Sequence, residues 1–328
     1  MVFRSHDIPR LLDPSALRDR ASEAWRLASP CRLCPRGCGV ERPAGELGYC
    51  ATGPGLRIGA VTPHFGEEPP LSVDGGAGAI FLTGCSMSCV YCQNHQISQG
   101  CVGHDTEPDL LAREMLKLQR MECANIDAVS PSHQLPGFLE ALAIARENGL
   151  QLPLVYNTNG YETQETLEIL DGVVDVYLPD LRYASNQNAL RYSDTPDYVD
   201  VAREAILEMH RQVGNLVVDL RGRAVRGMII RLLALPSGIA GVEESLRWIK
   251  DNLPASVTLS LMSQYAPLHK ASAFPELNAA VAESEYERLV DYAWDMGFEN
   301  VYVQDMSASA CGIPDFESPQ PFVWDEES

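Results

Sequence analysis

The stretch Ala79-Ile-Phe-Leu-Thr-Gly-Cys-Ser-Met-Ser-Cys-Val-Tyr-Cys-Gln-Asn94 joins a short apolar run to a loop with three cysteines. Cys85, Cys89 and Cys92 have the spacing C-x3-C-x2-C, and three thiolates can hold a cubane [4Fe–4S] cluster by three of its irons. A cluster that only carries electrons normally has a fourth cysteine, so the fourth iron is predicted to be open to a small molecule. The alternative is three clustered core cysteines, which the glycine and serines of the loop disfavour.

Composition limits the classes of partner and compartment. The chain of 328 residues has 25 basic and 45 acidic side chains and a formal net charge of −20, which would repel a nucleic-acid backbone. No stretch offers the roughly 18 uninterrupted apolar residues of a membrane span. Residues 1–30 lack the apolar region of a signal peptide, and most cysteines fall in two tight groups typical of metal sites. We therefore expect a cytoplasmic protein with no nucleic-acid and no membrane partner.

From residue 79 onward, short apolar runs alternate with helical patterns. Parallel strands buried on both faces are predicted at 79–83, 126–130, 152–157, 173–178, 227–235, 256–262 and 300–304. Helices are predicted at 107–123, 134–149, 163–171, 197–213, 242–252 and 282–297. Six or seven such units are too few for a closed eight-stranded barrel, so the predicted fold class is α/β with a partial (β/α)6-type parallel barrel.

The sequence divides into a barrel core at 79–310, a C-terminal tail at 311–328 and an N-terminal segment at 1–78. Residues 14–29 of that segment have the pattern of an amphipathic helix, with Asp13 placed to cap it and Pro14 at its first position. Residues 30–78 are rich in glycine and proline and show no long periodic run, so they are predicted to be a small unit held together by metal rather than by a core of its own.

Four cysteines of this small unit have the spacing C-x2-C-x3-C-x11-C, namely Cys31, Cys34, Cys38 and Cys50. In a reducing compartment this pattern predicts a closed four-thiolate metal site rather than disulfides. Zinc would act structurally, whereas an auxiliary [4Fe–4S] cluster could relay electrons to the first one. The spacing leaves both metals open. Cys101, Cys123 and Cys311 are expected to serve packing.

Polar residues follow most of the predicted strands where each strand ends. They include Ser130-Pro-Ser-His133, Asn157-Thr-Asn-Gly160, Pro179-Asp-Leu-Arg182, Leu261-Met-Ser-Gln-Tyr265 and Gln304-Asp305, and Arg231 lies near the end of the fifth strand. In parallel barrels the carboxyl ends of the strands meet at one rim and carry the active site. We therefore expect these side chains to line a binding site beside the cysteine loop.

The C-x3-C-x2-C loop after the first strand resembles that of the radical S-adenosylmethionine superfamily, over about residues 79–305. Five further stretches are similar to the PflX branch, which comprises homologues of pyruvate formate-lyase activating enzyme: Cys31-Arg-Leu-Cys-Pro-Arg-Gly-Cys38 with Gly48-Tyr-Cys50, Cys92-Gln-Asn94, Tyr156-Asn-Thr-Asn-Gly160, Asp175-Val-Tyr-Leu-Pro-Asp-Leu181 and Leu261-Met-Ser-Gln-Tyr265. This resemblance implies that the open iron binds S-adenosylmethionine and that reductive cleavage yields a 5′-deoxyadenosyl radical.

The resemblance also implies residue roles in cofactor binding. Tyr91 matches the aromatic residue that packs against the adenine. Ser132 or His133 stands where related enzymes have an acidic motif that receives the cofactor's amino group. Polar lining for the ribose and the methionine carboxylate is expected from Asn157, Asn159, Asp180, Arg182, Arg231 and Gln264, with Arg231 as the carboxylate clamp.

The leading functional hypothesis is therefore a radical enzyme that receives electrons from a reductant such as flavodoxin or ferredoxin. Its substrate is either a glycyl-radical protein, which a wide barrel mouth would favour, or a small molecule, which a plugged barrel would favour. An alternative from another class is a non-catalytic iron–sulfur electron carrier, which would require Cys101 to close the shell of the cluster. A zinc-dependent interaction module is a third possibility, but it would not need the polar rim.

Overall fold

The computed structural model describes residues 12–306 and 312–323, and these form one mixed sheet flanked by helices. The strands are β1 (Leu56–His64), β2 (Ala77–Leu82), β3 (His104–Thr106), β4 (Ile126–Val129), β5 (Leu154–Thr158), β6 (Val176–Pro179), β7 (Val217–Val218), β8 (Ala224–Leu233), β9 (Thr258–Met262) and β10 (Asn300–Val303). The helices are α1 (Pro14–Leu27), α2 (His95–Ser98), α3 (Pro108–Arg120), α4 (Leu135–Glu147), α5 (Gln164–Leu170), α6 (Asn186–Ser193), α7 (Tyr198–Val213), α8 (Val242–Asn252) and α9 (Glu283–Asp295). In the described ranges no helix is long and apolar enough to cross a membrane.

The strand order confirms the predicted fold class. Along the sheet the strands run β3-β1-β2-β4-β5-β6-β8-β9-β10, and β7 pairs with β8. From β2 to β10 the neighbours in this order are parallel, whereas β1 and β3 add antiparallel pairs at one end. All seven predicted strands and all six predicted core helices are present, with ends shifted by up to three residues. The result is a largely parallel sheet compatible with a partial barrel.

The N-terminal segment is partly as predicted. Asp13 caps α1 by accepting a hydrogen bond from the backbone N–H of Ser15 at 2.8 Å, and the apolar face of this helix is buried and packs against α4. Residues 30–78 show no long periodic run in the sequence, but the structure places β1 there, paired with β2. Gly59 and Pro63, which are uncommon inside strands, conceal its alternating burial in the sequence.

Residues 65–76, which we call the floor segment, close the interior of the barrel at the amino-terminal ends of its strands. His64 pairs with Ala77, so the floor segment leaves and returns at the start of β2. The carbonyl of Pro70 accepts a hydrogen bond from the N–H of Ala224 at the start of β8. Leu71 is buried in an apolar cluster of inward-facing strand residues, with Val155, Val176, Leu178, Ala224 and Ile229. The floor segment therefore passes beneath the strands and closes the bottom of the interior.

A second irregular segment, residues 312–323, packs against the inner face of β2, and we call it the C-terminal strap. The rings of Phe316 and Phe322 lie 5.4 and 5.1 Å from the ring of Phe81 on β2. The side chain of Gln96 holds the strap through Asp315 and through the backbone N–H of Phe316. Part of the predicted tail therefore belongs to the interior of the barrel.

Leu71 provides a test of the floor segment as a structural element. Leu71→Ala should lower the free energy of unfolding by about 2–5 kcal/mol, because it leaves a cavity under the strands. Leu220→Ala is the matched control, since Leu220 is 84% exposed, and it should change stability by less than about 0.5 kcal/mol. Urea unfolding of both variants measures the difference, and equal effects would contradict a packed floor.

Candidate functional site

The cysteine loop leaves the carboxyl end of β2 through a turn that requires glycine. Gly84 has φ +91°, and a Cβ at this position would lie 2.5 Å from the carbonyl oxygen of Cys50 and 2.8 Å from the side chain of Thr52. Any larger residue would collide with the N-terminal unit and would strain the backbone. The close approach brings the two cysteine groups of the sequence next to each other.

Each thiol of the loop accepts or shares a hydrogen bond with a polar side chain. Asn159 Nδ2 donates to Cys85 Sγ at 3.5 Å, and Ser193 Oγ donates to Cys89 Sγ at 3.1 Å. Cys92 Sγ and Ser98 Oγ are 3.3 Å apart. Hydrogen bonds of this kind stabilise thiolate ligands and tune iron–sulfur clusters.

The three thiols fit the donor set of an iron–sulfur cluster. Burial, followed by the neighbouring Cys89 and Cys92, raises the pKa of Cys85 to about 12, so the thiolate form needs a metal partner. In the described residues no three His, Cys, Asp or Glu side chains converge on a single metal ion, whereas a cubane takes one thiolate on each of three separate irons.

Arg182 adds a half-buried cation beside these thiols. The negative charge of Asp180 and of Cys89 raises its pKa well above the ordinary range against the opposing effect of burial. Its Nε is buried and has no hydrogen-bond partner within the described part of the chain. A guanidinium with a free donor suits a site that receives an anionic cluster or a carboxylate.

A cavity of about 440 Å³ opens at the carboxyl ends of the parallel strands, as the sequence predicted, and its size is in the range of small-molecule sites. Six of the nine predicted cofactor-binding residues line it: Asn157, Asn159, Asp180, Arg182, Arg231 and Gln264. Gln93 and Asn94, directly after Cys92, line the same cavity. The geometry therefore connects the cysteine loop with the polar rim.

Arg231 lies in this cavity, but protein groups already occupy its guanidinium. Nη2 donates to Asn157 Oδ1 at 2.6 Å, Nε donates to Asp180 Oδ1 at 2.8 Å, and Nη1 lies 3.3 Å from Glu67 Oε2. Because each of its nitrogens has a partner within the chain, the predicted role as a clamp for the cofactor carboxylate is not supported. Arg182 has the freer guanidinium: within the described residues its one salt bridge is with Asp180, its side chain also interacts with Tyr91, and its Nε has no hydrogen-bond partner.

Tyr91, Ser132 and His133 lie outside the cavity lining, which corrects the role expected for Ser132 and His133 and leaves the role of Tyr91 a prediction. The hydroxyls of Tyr91 and Tyr183 are 2.7 Å apart, so these two buried tyrosines share a hydrogen bond. Ser132 Oγ donates to Glu162 Oε1 at 2.5 Å. His133 Nε2 lies 2.8 Å from the carbonyl of Thr83, and burial lowers its pKa to about 4.

The cause of this correction for Ser132 and His133 is the turn after β4. Ser130 has φ +52°, and residues Ser132–Gln134 form a short 3-10 helix that continues into α4. The two side chains are buried beneath the rim instead of facing the cavity. A residue pattern alone does not show the direction of such a turn.

Three acidic residues of the site were missed by sequence reasoning. Glu67 and Glu68 enter the cavity from the floor segment, and Asp127 is buried at the centre of β4. Asp127 carried a usable signal, because a lone carboxyl inside an apolar parallel strand needs a polar partner. Glu67 and Glu68 precede two prolines in a stretch that resembles an exposed loop, so no feature of the sequence indicates that they lie in the cavity.

The N-terminal cysteines surround a buried arginine. Arg42 is 2% exposed, and it donates to Cys31 Sγ and to Cys50 Sγ, each at 2.9 Å. Cys34 is also buried and Cys38 is half-buried, and none of the four forms a disulfide. Arg42 places positive charge beside Cys31 and Cys50, whereas burial raises the pKa of the Cys34 thiol to about 12. In the described residues these sulfurs do not converge on a single ion, and the occupant, zinc or a second cluster, stays a prediction.

The buried carboxyl of Glu162 predicts that the stability of the fold depends on pH. Burial raises its pKa to about 7 from an ordinary 4.5, so between these values the folded protein keeps a proton that the unfolded chain has released. Its contribution to stability is fully present below pH 4.5, falls as the pH rises through this window and is level above 7. Glu162→Gln keeps an oxygen that can accept from Ser132 and Thr158, and it should remove this dependence.

The measurement compares urea unfolding of the wild type and Glu162→Gln across that range. The wild type should lose on the order of 3 kcal/mol relative to the variant between the acidic and the neutral end. Parallel stability profiles would show that Glu162 ionises equally in both states.

Comparison with known proteins agrees with the arrangement of the cysteine loop and the barrel. Residues 79–220 match the family profile of the Radical SAM superfamily. The chain is 29% identical over 301 residues to the uncharacterized protein MJ0674 of Methanocaldococcus jannaschii, covering 88% of this chain and 81% of that protein. It is 25% identical over 156 residues to the uncharacterized protein MJ0808 of the same organism, covering 43% and 46% respectively. Residues 79–220 therefore carry a Radical SAM superfamily domain, and such a domain implies an enzyme that uses a [4Fe–4S] cluster and S-adenosylmethionine.

Proposed function

We propose that this protein cleaves S-adenosylmethionine at a cluster held by Cys85, Cys89 and Cys92 and directs the resulting radical at a small molecule. The radical SAM domain supports the first part. The observation that carries the second is the enclosure of the cavity by the floor segment and the C-terminal strap. Glu67 and Glu68 line it from below, and Gly312 and Phe322 add strap residues to its wall.

The bound cluster would supply one electron to the sulfonium of S-adenosylmethionine and thereby produce the 5′-deoxyadenosyl radical. The chain's own residues hold and shield the reactants. Asn159 donates to Cys85 Sγ and lines the cavity, so it can orient a molecule bound next to the open iron. Arg182 offers its unpartnered Nε to a carboxylate. Phe81 and Phe322 make part of the wall apolar, which helps to exclude water from a radical.

Activation of a glycyl-radical protein, the other candidate from the sequence, fits this enclosure less well. A polypeptide loop would have to enter a cavity of about 440 Å³ that also receives the cofactor. The strap would have to leave its aromatic contacts with Phe81 to widen the entrance. A small substrate needs neither change. An external one-electron donor such as a flavodoxin or ferredoxin belongs to this proposal in either case.

The cleavage step is tested by anaerobic reconstitution, reduction with dithionite and addition of S-adenosylmethionine. The wild type should form 5′-deoxyadenosine, and Cys89→Ala should reduce it to background because the cluster loses one of its three ligands. Cys101→Ala is the matched control: it should retain both the cluster and the product.

Two outcomes would contradict the proposal. A fully loaded wild-type cluster that yields no 5′-deoxyadenosine would exclude the cleavage reaction. Loss of the cluster in Cys101→Ala would show that Cys101 is a fourth ligand, as an electron carrier requires. Iron analysis of each preparation separates these outcomes from simple failure to load the cluster.

A further inference from the structure

The lower end of the cavity carries a group of buried carboxyls that cofactor cleavage does not use. Glu67 and Glu68 line the cavity, and Asp127 lies close enough for Glu67 and Glu68 to raise its pKa. Asp127 is 1% exposed and Glu68 is 8% exposed. Burial raises the pKa of all three carboxyls. We call these three residues the acidic floor.

One basic side chain, Arg231, acts on all three carboxyls of the acidic floor and lowers their pKa values against the effect of burial. Arg231 lies against Glu67 but shares its guanidinium with Asp180, and Arg182 pairs with Asp180 as well. His64 Nδ1 is 3.3 Å from Glu67 Oε1, but burial lowers the pKa of His64 to about 4, so it is neutral at physiological pH. Across the described ranges, neither Glu68 nor Asp127 has a salt bridge to a basic side chain.

Two oxygens of the acidic floor also lack hydrogen-bond donors. Glu68 interacts with Ser260, and Asp127 Oδ2 accepts from Asn157 Nδ2 at 3.3 Å. Glu68 Oε2 and Asp127 Oδ1 are buried and have no hydrogen-bond partner among residues 12–306 and 312–323. A buried acceptor without a donor is destabilising, because the hydrogen bonds that it makes to water in the unfolded chain are not replaced. A ligand that donates hydrogen bonds would supply the missing donors, and its positive charge would favour the ionised form of these carboxyls, which burial disfavours.

The acidic floor lies well below the cysteine loop, so a second molecule can occupy it. Asp127 pairs in register with Ala79 of β2, whereas the cysteine loop begins only after Leu82. The three residue steps from Ala79 to Leu82 correspond to about 10 Å along the strand. A cofactor on the open iron would contact the upper lining around Asn159 and Arg182, whereas Glu67 and Glu68 line the cavity from the floor segment and Asp127 is buried next to the lining residue Asn157.

We propose that the acidic floor binds the protonated amino group of the enzyme's small substrate. This inference rests on the proposed function and adds to it the chemical class of the substrate. An ammonium group carries three donors and one positive charge, which suits unpaired carboxylate oxygens. A divalent cation fits less well, because the acidic residues in the described structure do not converge on one ion. The remainder of such a substrate would extend upward toward the radical.

The test is binding of matched probes to the reconstituted holoenzyme saturated with S-adenosylmethionine, without reductant so that no turnover occurs. The probes are butylamine, butanol and butyrate, which share a chain and differ in charge. Saturation-transfer NMR titrations give their affinities. Butylamine should bind at least tenfold more tightly than either other probe, since a charged hydrogen bond to a buried carboxylate is lost in both.

Variants assign this binding to the acidic floor. Glu68→Gln and Asp127→Asn should each weaken butylamine binding at least fivefold. Glu287→Gln is the control, because Glu287 is an exposed glutamate on α9, and it should leave the affinity unchanged. Thermal unfolding confirms that each variant is folded.

The inference is overturned if the three probes bind alike, if butylamine affinity is indifferent to Glu68→Gln and Asp127→Asn, or if butylamine binds only when S-adenosylmethionine is absent. The last outcome would mean that the acidic floor receives the cofactor itself. Formation of 5′-deoxyadenosine, measured on the same preparation after reduction, distinguishes the two proposals. A protein that forms this product but shows no preference for the amine keeps the proposed function and loses only the inferred substrate class.

Discussion

The interior of the barrel depends on one buried guanidinium. Arg231 on β8 binds Asn157 from β5, Asp180 from the end of β6 and Glu67 from the floor segment. Charged groups out of water are stable only when partners satisfy them, and removal of one partner leaves an uncompensated charge. Arg231 therefore ties three strands and the floor together at the level where the apolar bottom changes into the polar cavity, and the positions of Asp180 and Arg182 follow from it.

The sequence allows the outer frame of this structure to be predicted well. Parallel strands buried on both faces are continuous apolar runs, and the cysteine loop follows the first of them, so the fold and the rim could be inferred together. The residues inside the barrel were harder to predict from the sequence. Glu67 and Glu68 reach the cavity only because residues 65–76 pass beneath the strands, which is a tertiary feature without a local pattern. The burial of Ser132 and His133 follows from the turn at Ser130 in the same way.

The N-terminal unit is more closely joined to the barrel than a division at residue 78 suggests. Arg36 donates to the carbonyl of Ser86 at 2.8 Å, and the hydroxyl of Tyr49 donates to Ser88 at 2.7 Å, so two side chains hold the cysteine loop from outside. Gly84 faces the carbonyl of Cys50 at a distance that excludes a side chain. A metal at the four N-terminal thiols would therefore fix the unit that supports the loop, whichever metal it is.

The central claim is that three thiolates of the cysteine loop hold a cluster whose fourth iron is open to S-adenosylmethionine. Electron paramagnetic resonance of the reconstituted, reduced protein tests it most directly, recorded before and after the cofactor is added and frozen before cleavage. We expect the g values of the reduced cluster to shift on addition, because the cofactor becomes a ligand of that iron. A spectrum that stays the same at saturating S-adenosylmethionine would contradict the open iron.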